Sequence, residues 1–278
     1  LFAANGVFFI ITALIGPDAM IAWGWRIPFV LSIVLVAVGL YVRLTLHESQ
    51  VFQDVENSGR KLAAPVSAVF TQHGGKVLQG ALIMTTTYVL FYLMTAFVQV
   101  YSKSPAGVSA AGHPTGLGIP ANTFTGILLI GAIVFGIFCM VAGHQADKWG
   151  RRRWMMAVTV GIMAFGALMP ALLTHGTPGS VLLFIVIGMA LMGCTFGPMA
   201  ALLPELFPTE VRYSGASMAY NLSSIVGASL PTLIAIDLNK SYGLGGVGLY
   251  LAANGLFTLA ALWTSRETSQ IDLADVGR

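Results

Sequence analysis

The stretch Gly143-His144-Gln145-Ala146-Asp147-Lys148-Trp149-Gly150-Arg151-Arg152-Arg153 separates two apolar runs, at about 121–142 and 154–174. Each run has about the 20 residues that an α-helix needs to cross the hydrocarbon core of a bilayer. The stretch therefore predicts a short, charged hairpin that joins two membrane helices. Short loops rich in Lys and Arg remain on the cytoplasmic side, so the three consecutive arginines predict a cytoplasmic hairpin.

The composition is that of an integral membrane protein. Hydrophobic residues make up 56% of the 278 residues and charged residues only 9%, whereas soluble domains contain about 25% charged residues. The lipid bilayer is therefore an expected partner. Nucleic acid is not, because the basic residues are scattered over loops rather than forming a stripe with interleaved aromatic residues. Cys139 and Cys194 lie inside apolar runs without metal-ligand spacing, so no metal site is expected.

The apolar runs predict an all-α, multi-pass membrane bundle of eight spans. The first run is short for a span and ends at the turn Gly16-Pro17-Asp18, and residue 1 is Leu rather than Met. We therefore expect the first helix to be truncated at its N-terminus. A polar connector, 47–76, follows the second span, and a polar tail, 266–278, follows the last. The predicted spans are 1–16, 27–46, 77–101, 121–143, 154–174, 180–203, 213–236 and 246–264.

The distribution of basic residues predicts one orientation. With the hairpin in the cytoplasm, alternation of the spans places the connector, the loop 204–212 and the C-terminal tail on the same side. Eleven of the fourteen Lys and Arg residues then lie inside, and Arg26, Lys103 and Lys240 lie outside. This excess of positive charge agrees with the orientation of the hairpin and predicts a cytoplasmic C-terminus.

Three stretches together resemble one family of transporters. The hairpin contains a glycine, an aspartate four residues later, a basic residue and then Gly-Arg-Arg, which resembles the loop motif of the major facilitator superfamily. The segments Trp23-Gly24-Trp25-Arg26-Ile27-Pro28-Phe29 and Pro204-Glu205-Leu206-Phe207-Pro208-Thr209-Glu210-Val211-Arg212-Tyr213-Ser214-Gly215-Ala216-Ser217 are similar to its metabolite:proton symporter branch. That branch includes proline/betaine, shikimate and α-ketoglutarate permeases.

The resemblance implies a twelve-helix major facilitator fold, in which these eight spans match the fifth to twelfth helices. The first four helices would then be missing from this chain and needed for its function. Residues 1–46 would be the last two helices of the N-terminal six-helix half, and 47–76 a cytoplasmic connector. Residues 77–265 would form the C-terminal six-helix half, with 266–278 as a cytoplasmic tail.

The implied function is secondary active transport of a small organic solute, a carboxylate or a zwitterion, across the bacterial inner membrane. Proton symport with alternating access would drive it, so protons are expected partners and no cofactor is expected. No carboxylate lies in the middle of a predicted span, so a proton-carrying acid would belong to the missing helices. An enzyme is not expected, since the spans contain neither His-Glu-x-x-His nor paired aspartates. The alternatives are a non-transporting, truncated remnant of such a transporter and a channel.

The hairpin and the loop 204–212 carry a candidate gating motif. One interpretation is that the arginines only anchor the topology, but this does not explain Gly143, Asp147 and Gly150. The other is that the hairpin latches the two halves of the transporter together while the inside is closed, with Glu205 reaching the hairpin arginines. The candidate gating residues are Gly143, Asp147, Lys148, Gly150, Arg151, Arg152, Glu205 and Arg212.

Polar and aromatic residues within the spans are candidates for a substrate path, because they are costly to place against lipid. Tyr88, Tyr92, Thr95 and Gln99 recur at α-helical spacing and predict one shared face. Ordinary helix packing is the alternative for that stripe and for the candidates on the 213–236 span, Tyr220 and Asn221. Arg26 either extends its head group to the outer membrane surface or attracts an anionic substrate at the cavity mouth.

Overall fold

The computed structural model describes residues 2–45, 65–265 and 267. Most of the predicted connector, from 46 to 64, lies outside the described residues, as does the predicted tail apart from Glu267. The chain divides into two compact units, one ending at Lys61 and the other beginning at Leu62.

The first unit consists of two main helices joined by a tight turn. Gly16 ends the first helix with a φ of +83°, at the position of the predicted turn. The helix Phe2–Ile15 has only 14 residues. The helix Arg26–Thr45 is largely apolar and has no buried side chain. Its surface therefore suits contact with lipid. The elements are α1, Phe2–Ile15; α2, Pro17–Ala19; a π-helical turn, Met20–Gly24; and α3, Arg26–Thr45.

The second unit is a bundle of long helices. Across the described residues of both units, six helical stretches are long and apolar enough to cross a membrane, which confirms an all-α, multi-pass membrane bundle. The first helix of this unit begins twelve residues before the predicted start at 77. The elements are α4, Pro65–Tyr92; a π-helical turn, Leu93–Phe97; α5, Val98–Lys103; α6, Ala121–Trp149; α7, Arg151–Leu173; α8, Pro178–Glu205; α9, Arg212–Ser229; and α10, Pro231–Thr264.

The strands in the described part of the chain form one short antiparallel pair. Strand β1, Gly107–Val108, pairs antiparallel with β2, Pro114–Gly116, in the loop between α5 and α6. We call this end of the second unit the loop end, and the end that carries Gly143–Arg153 the hairpin end. Asn239 Nδ2 donates to the Pro114 carbonyl oxygen at 2.9 Å, which fastens α10 to the loop.

Helix α10 reverses direction at Gly243. This residue has a φ of 69° and a ψ of −171°, and the ring of His113 lies against it at the loop end. Beyond the reversal the chain returns to the hairpin end, where Gln79 Nε2 donates to the Ala261 carbonyl oxygen at 3.2 Å. The stretch from Arg212 to Thr264 therefore contains two antiparallel spans, which confirms the predicted break between 236 and 246.

Two clusters of buried side chains hold the second unit together, one toward each end. Helix α4 packs against α9 and α10, while α6 packs along α8 and α7 packs along α10. The rings of Phe165 and Phe184 stack with their centroids 4.6 Å apart in the cluster nearer the loop end. In the cluster nearer the hairpin end, Phe207 and Leu262 are fully buried. The packing thus sets the relative positions of the helices that carry both groups of candidate residues.

The backbones of α7 and α10 touch at Gly166 and Gly248. A Cβ placed on Gly248 would overlap the carbonyl oxygen of Gly166, and one placed on Gly166 would lie 2.7 Å from the carbonyl oxygen of Gly248. Lipid supplies no hydrophobic force between helices, so close van der Waals contact at small residues contributes most of the association. This pair of glycines therefore fixes the distance between the two helices.

Replacement of Gly248 by Ala should separate α7 and α10 and destabilise the second unit. Overpacking of this kind costs about 1–3 kcal/mol, which we expect to lower the melting temperature of the detergent-solubilised protein by several degrees. Gly245→Ala is the matched control, because the nearest heavy atom to a Cβ there is Pro170 Cγ at 3.9 Å. The measurement is loss of the monodisperse peak in size-exclusion chromatography after heating. Equal melting temperatures for the two variants would contradict the tight contact.

Candidate functional site

The hairpin turns at Gly150, between α6 and α7. Gly150 has a φ of 92°, a conformation that side-chain-bearing residues rarely adopt. A Cβ at this position would also lie 2.6 Å from the carboxylate oxygen Oε2 of Glu267, which lies against the start of α7. Glu267 Oε1 accepts from the backbone N–H of Arg152 at 3.4 Å. The glycine thus permits both the turn and the approach of a carboxylate to the helix N-terminus, where negative charge is favoured.

Arg151 lies between two carboxylates at the hairpin end. Its Nε donates to Asp147 Oδ1 at 3.0 Å, and its Nη1 contacts Glu205 Oε1. We call Asp147, Arg151 and Glu205 the charge cluster. The side chains of Arg151 and Glu205 are only 15% and 13% exposed, whereas that of Asp147 is 60% exposed. The structure therefore brings together three of the predicted gating residues, from the hairpin and from the end of α8, which are far apart in sequence.

The two ion pairs of the charge cluster differ in what they contribute. The exposed pair between Asp147 and Arg151 is worth at most about 1 kcal/mol, because water screens it. The pair between Arg151 and Glu205 is largely shielded, so removal of either partner would leave a poorly solvated charge. Glu205 Oε2 is buried and has no hydrogen-bond partner among the described residues.

The remaining gating candidates surround the charge cluster. Lys148 is exposed, and Gly143 has open space where a Cβ would project. Arg212 Nε donates to the Phe207 carbonyl oxygen at 3.3 Å, and its charge interacts with that of Glu205. All three residues thus lie at the hairpin end, and the charge of Arg212 interacts with that of Glu205 in the cluster.

Arg152 joins the hairpin to the end of α10, a contact that sequence reasoning missed. Its Nη2 donates to the Trp263 carbonyl oxygen at 2.9 Å, and its guanidinium carbon lies 5.9 Å from the centre of the Trp263 ring. Together with Glu267, these residues tie the start of α7 to the C-terminal end of the helical bundle. Their separation of more than one hundred residues gives no local signal in the sequence.

The predicted stripe on the 77–101 span divides into two groups. The prediction assumed a continuous α-helix, but Leu93–Phe97 form a π-helical turn. A π-helical turn contains an extra residue, which rotates the residues after it by about 100° relative to an α-helix. Tyr88 and Tyr92 precede this turn, Thr95 lies within it and Gln99 comes after it. The expected single face is therefore broken at the turn.

The group before the π-helical turn lies between α4 and α9. The rings of Tyr88 and Tyr220 meet edge to face with centroids 5.4 Å apart, while Tyr92 makes a similar contact with Phe91. Tyr88 is nearly buried and Tyr220 is 42% exposed. Asn221 Nδ2 donates to the Ser217 carbonyl oxygen at 2.8 Å on its own helix. The structure thus pairs Tyr88 with Tyr220 but turns Asn221 toward its own backbone.

The second group lines an open depression of about 470 Å³ near the loop end. With its amide oriented to satisfy both neighbours, Gln99 Nε2 donates to the Thr95 carbonyl oxygen at 2.9 Å. Its Oε1 accepts from Lys103 Nζ at 2.8 Å. Lys103 was missing from the predicted site, although it lies four residues beyond Gln99, and that spacing could have identified it.

Arg26 belongs to the first unit and is exposed. Its guanidinium carbon lies 4.5 Å from the centre of the Trp25 ring, and Nη1 donates to the Ala22 carbonyl oxygen at 3.4 Å. An arginine beside tryptophan at the end of an apolar helix is typical of the membrane surface. These contacts agree with the anchoring interpretation of Arg26.

Comparison with known proteins identifies transport proteins as relatives. A "Putative metabolite transport protein" of Haemophilus influenzae is 60% identical over 99% of this chain and 63% of its own length. The "Inner membrane metabolite transport protein YhjE" of Escherichia coli is 46% identical over 96% of the chain and 59% of its own length. The "Proline/betaine transporter" of E. coli is 27% identical over 95% of the chain and 52% of its own length.

The chain spans about three-fifths of the length of the first two of these relatives. No solved structure matches it. Residues 1–231 match the family described as the Major Facilitator Superfamily. This is a family of transporters, which agrees with the expectation that the chain is not an enzyme. With its membrane-length helices, its charged hairpin and these relatives, the chain belongs to the Major Facilitator Superfamily and, within it, to the branch of metabolite transporters.

Proposed function

We propose that this chain is part of a secondary active transporter that moves a small organic solute, a carboxylate or a zwitterion, across the bacterial inner membrane. Proton symport would drive the movement. Family membership supports transport, and one relative is named for proline and betaine, which are zwitterions. Another relative is named as an inner membrane protein.

The charge cluster is the observation that carries this proposal. A single topology anchor needs only positive charge, whereas here Arg151 is held between Asp147 and the largely buried Glu205. Partial burial of Arg151 and Glu205 costs desolvation energy, which the charged side chains of an ordinary solvated loop do not require. The Asp147 carboxylate is exposed, and Glu205 Oε2 accepts no hydrogen bond from the described residues, so both would be available to donors that approach when the inside closes. We infer that the cluster latches the inside-closed state during alternating access.

The group around Tyr88 and Tyr220 and the depression near Gln99 are the proposed polar surfaces along the solute path. Tyr88 and Gln99 lie on the same helical span, and the eleven residues from one to the other correspond to about 16 Å along a helix. One solute-sized molecule does not reach from one to the other. We infer that the two groups act at successive positions of the solute.

Uptake measurements test the transport proposal directly. The gene is expressed from its own locus and deleted for comparison, so that the protein is assayed as the cell makes it. We expect deletion to abolish uptake of at least one radiolabelled solute among glycine betaine, proline, succinate and shikimate. A protonophore should remove the same component, because dissipation of the proton gradient stops symport. Uptake of all four solutes that is unchanged by deletion would contradict the proposal for this solute class.

Neutralisation of the charge cluster should impair transport without removing the protein from the membrane. Glu205→Gln keeps the shape of the side chain but leaves Arg151 without its shielded partner. If the cluster contributes about 1.4 kcal/mol to the inside-closed state, the initial uptake rate should fall about tenfold. Asp147→Asn should give a smaller decrease, because its pair with Arg151 is exposed to water.

Arg153→Gln is the matched control for the cluster variants. Arg153 is exposed and adjacent to the cluster, and it is not one of the gating candidates. The initial rate should stay near that of the unaltered protein, with equal amounts of each variant in the membrane by immunoblot. A loss of transport in Arg153→Gln equal to that in Glu205→Gln would identify the hairpin as a general positive anchor.

The proposed orientation places the hairpin end in the cytoplasm. Alkaline phosphatase, which is active only in the periplasm, should be active when fused after Ser109 and inactive when fused after Arg152. Ser109 lies at the loop end, where its Oγ donates to the Lys240 carbonyl oxygen at 2.8 Å. A fluorescent protein that folds only in the cytoplasm provides the complementary fusion at both positions. The opposite pattern would reverse the proposed orientation, including that of the C-terminus.

A further inference from the structure

Lys103 carries a charge in a place where water only partly solvates it. It is the last residue of α5, and its side chain is half-buried rather than extended into solvent. The amino group lies 2.8 Å from Gln99 Oε1 and 5.7 Å from the centre of the Phe124 ring. Its described neighbours are therefore a neutral amide and an aromatic ring, both of which favour a cation without neutralising it.

No carboxylate in the described part of the chain forms an ion pair with Lys103. The ion pairs among those residues belong to the charge cluster at the hairpin end. Asp237 lies two residues before Asn239, which contacts the loop end, and its side chain is exposed. The positive charge of Lys103 is thus uncompensated, in contrast to that of Arg151, which lies between two carboxylates.

The depression beside Lys103 is large enough to hold a small anion. Its volume of about 470 Å³ exceeds that of a small organic acid, and Thr95, Gln99 and Ser104 also line it. The hydroxyls of Thr95 and Ser104 donate to the carbonyl oxygens of Phe91 and Val100 at 2.7 and 2.8 Å. Those donors are already used, whereas an ammonium group has three N–H donors and Gln99 accepts only one of them. Lys103 therefore supplies the available donors.

We propose that Lys103 binds the carboxylate group of the transported solute in this depression. The inference rests on the proposed transport function and narrows its substrate class to solutes that carry a carboxylate. Gln99 acts as a positioning residue, because it directs the amino group toward the depression and is itself held by the Thr95 carbonyl oxygen. A carboxylate would accept two charge-assisted hydrogen bonds from the ammonium group and neutralise it.

Protection of Lys103 from chemical labelling tests this site in the unaltered protein. Membrane vesicles that contain the protein are treated with uncharged N-hydroxysuccinimidyl acetate, and acetylation of Lys103 is followed by mass spectrometry. Benzoate, succinate and shikimate are added at about 10 mM, each beside its uncharged amide and beside chloride at the same ionic strength. A carboxylate with a dissociation constant of about 1 mM should slow labelling of Lys103 about tenfold.

The control is Lys240, which is exposed at the same end of the second unit. We expect at least one carboxylate to protect Lys103, its amide and chloride not to protect it, and Lys240 to be labelled equally in every sample. Protection by none of the carboxylates, or equal protection by the amides or by chloride, would show that Lys103 is only a membrane-surface lysine and would overturn the site.

Uptake and protection are separate measurements, so the two proposals can fail separately. Protection of Lys103 without uptake of any solute would contradict the transport proposal and leave the carboxylate site in place. Uptake of a carboxylate solute without protection by that solute would contradict the role of Lys103 and leave transport in place.

Discussion

The contact between the backbones of Gly166 and Gly248 is the constraint on which the second unit depends. In lipid, helices gain little from hiding apolar side chains, so their association relies on surfaces that fit closely. A similar approach joins α6 to α8, where a Cβ on Gly193 would lie 2.6 Å from the Phe135 carbonyl oxygen. These two contacts hold α7 and α8 at fixed distances from their neighbours. The hairpin between α6 and α7 and the end of α8, which carries Glu205, are positioned as a result.

Positively charged side chains have different neighbours at the two ends of the second unit. At the hairpin end, Arg151 is enclosed by carboxylates from a neighbouring turn of its own hairpin and from the end of α8. At the loop end, the neighbours of the Lys103 amino group among the described residues are a neutral amide and an aromatic ring. A compensated charge stabilises a particular arrangement of helices, whereas an uncompensated one attracts an anion from outside. This difference is the basis of the latch that we propose at one end and of the solute contact that we propose at the other.

The π-helical turn at Leu93–Phe97 separates two groups of polar residues on one helical span. Without it, the polar residues of the span would form one continuous stripe from Tyr88 to Gln99. The turn directs the earlier group toward α9, where Tyr88 meets Tyr220, and leaves the later group to line the depression. Turns of this kind occur often at functional sites, because they change the direction of side chains without breaking the helix. One helical span thus provides two separate polar surfaces.

The sequence by itself determined the membrane character, the all-α multi-pass bundle and the family. Run length and hydropathy are local properties, and the hairpin motif is contiguous, so Gly143–Arg153 could be recognised without any tertiary contact. The break at Gly243 was also predictable, because a cluster of glycines interrupts an apolar run too long for one span. Only the tertiary structure decided which charges meet. The contacts of Glu205 with Arg151 and of Glu267 with the start of α7 join residues that are 54 and about 115 positions apart, and the π-helical turn depends on packing that residue spacing does not encode.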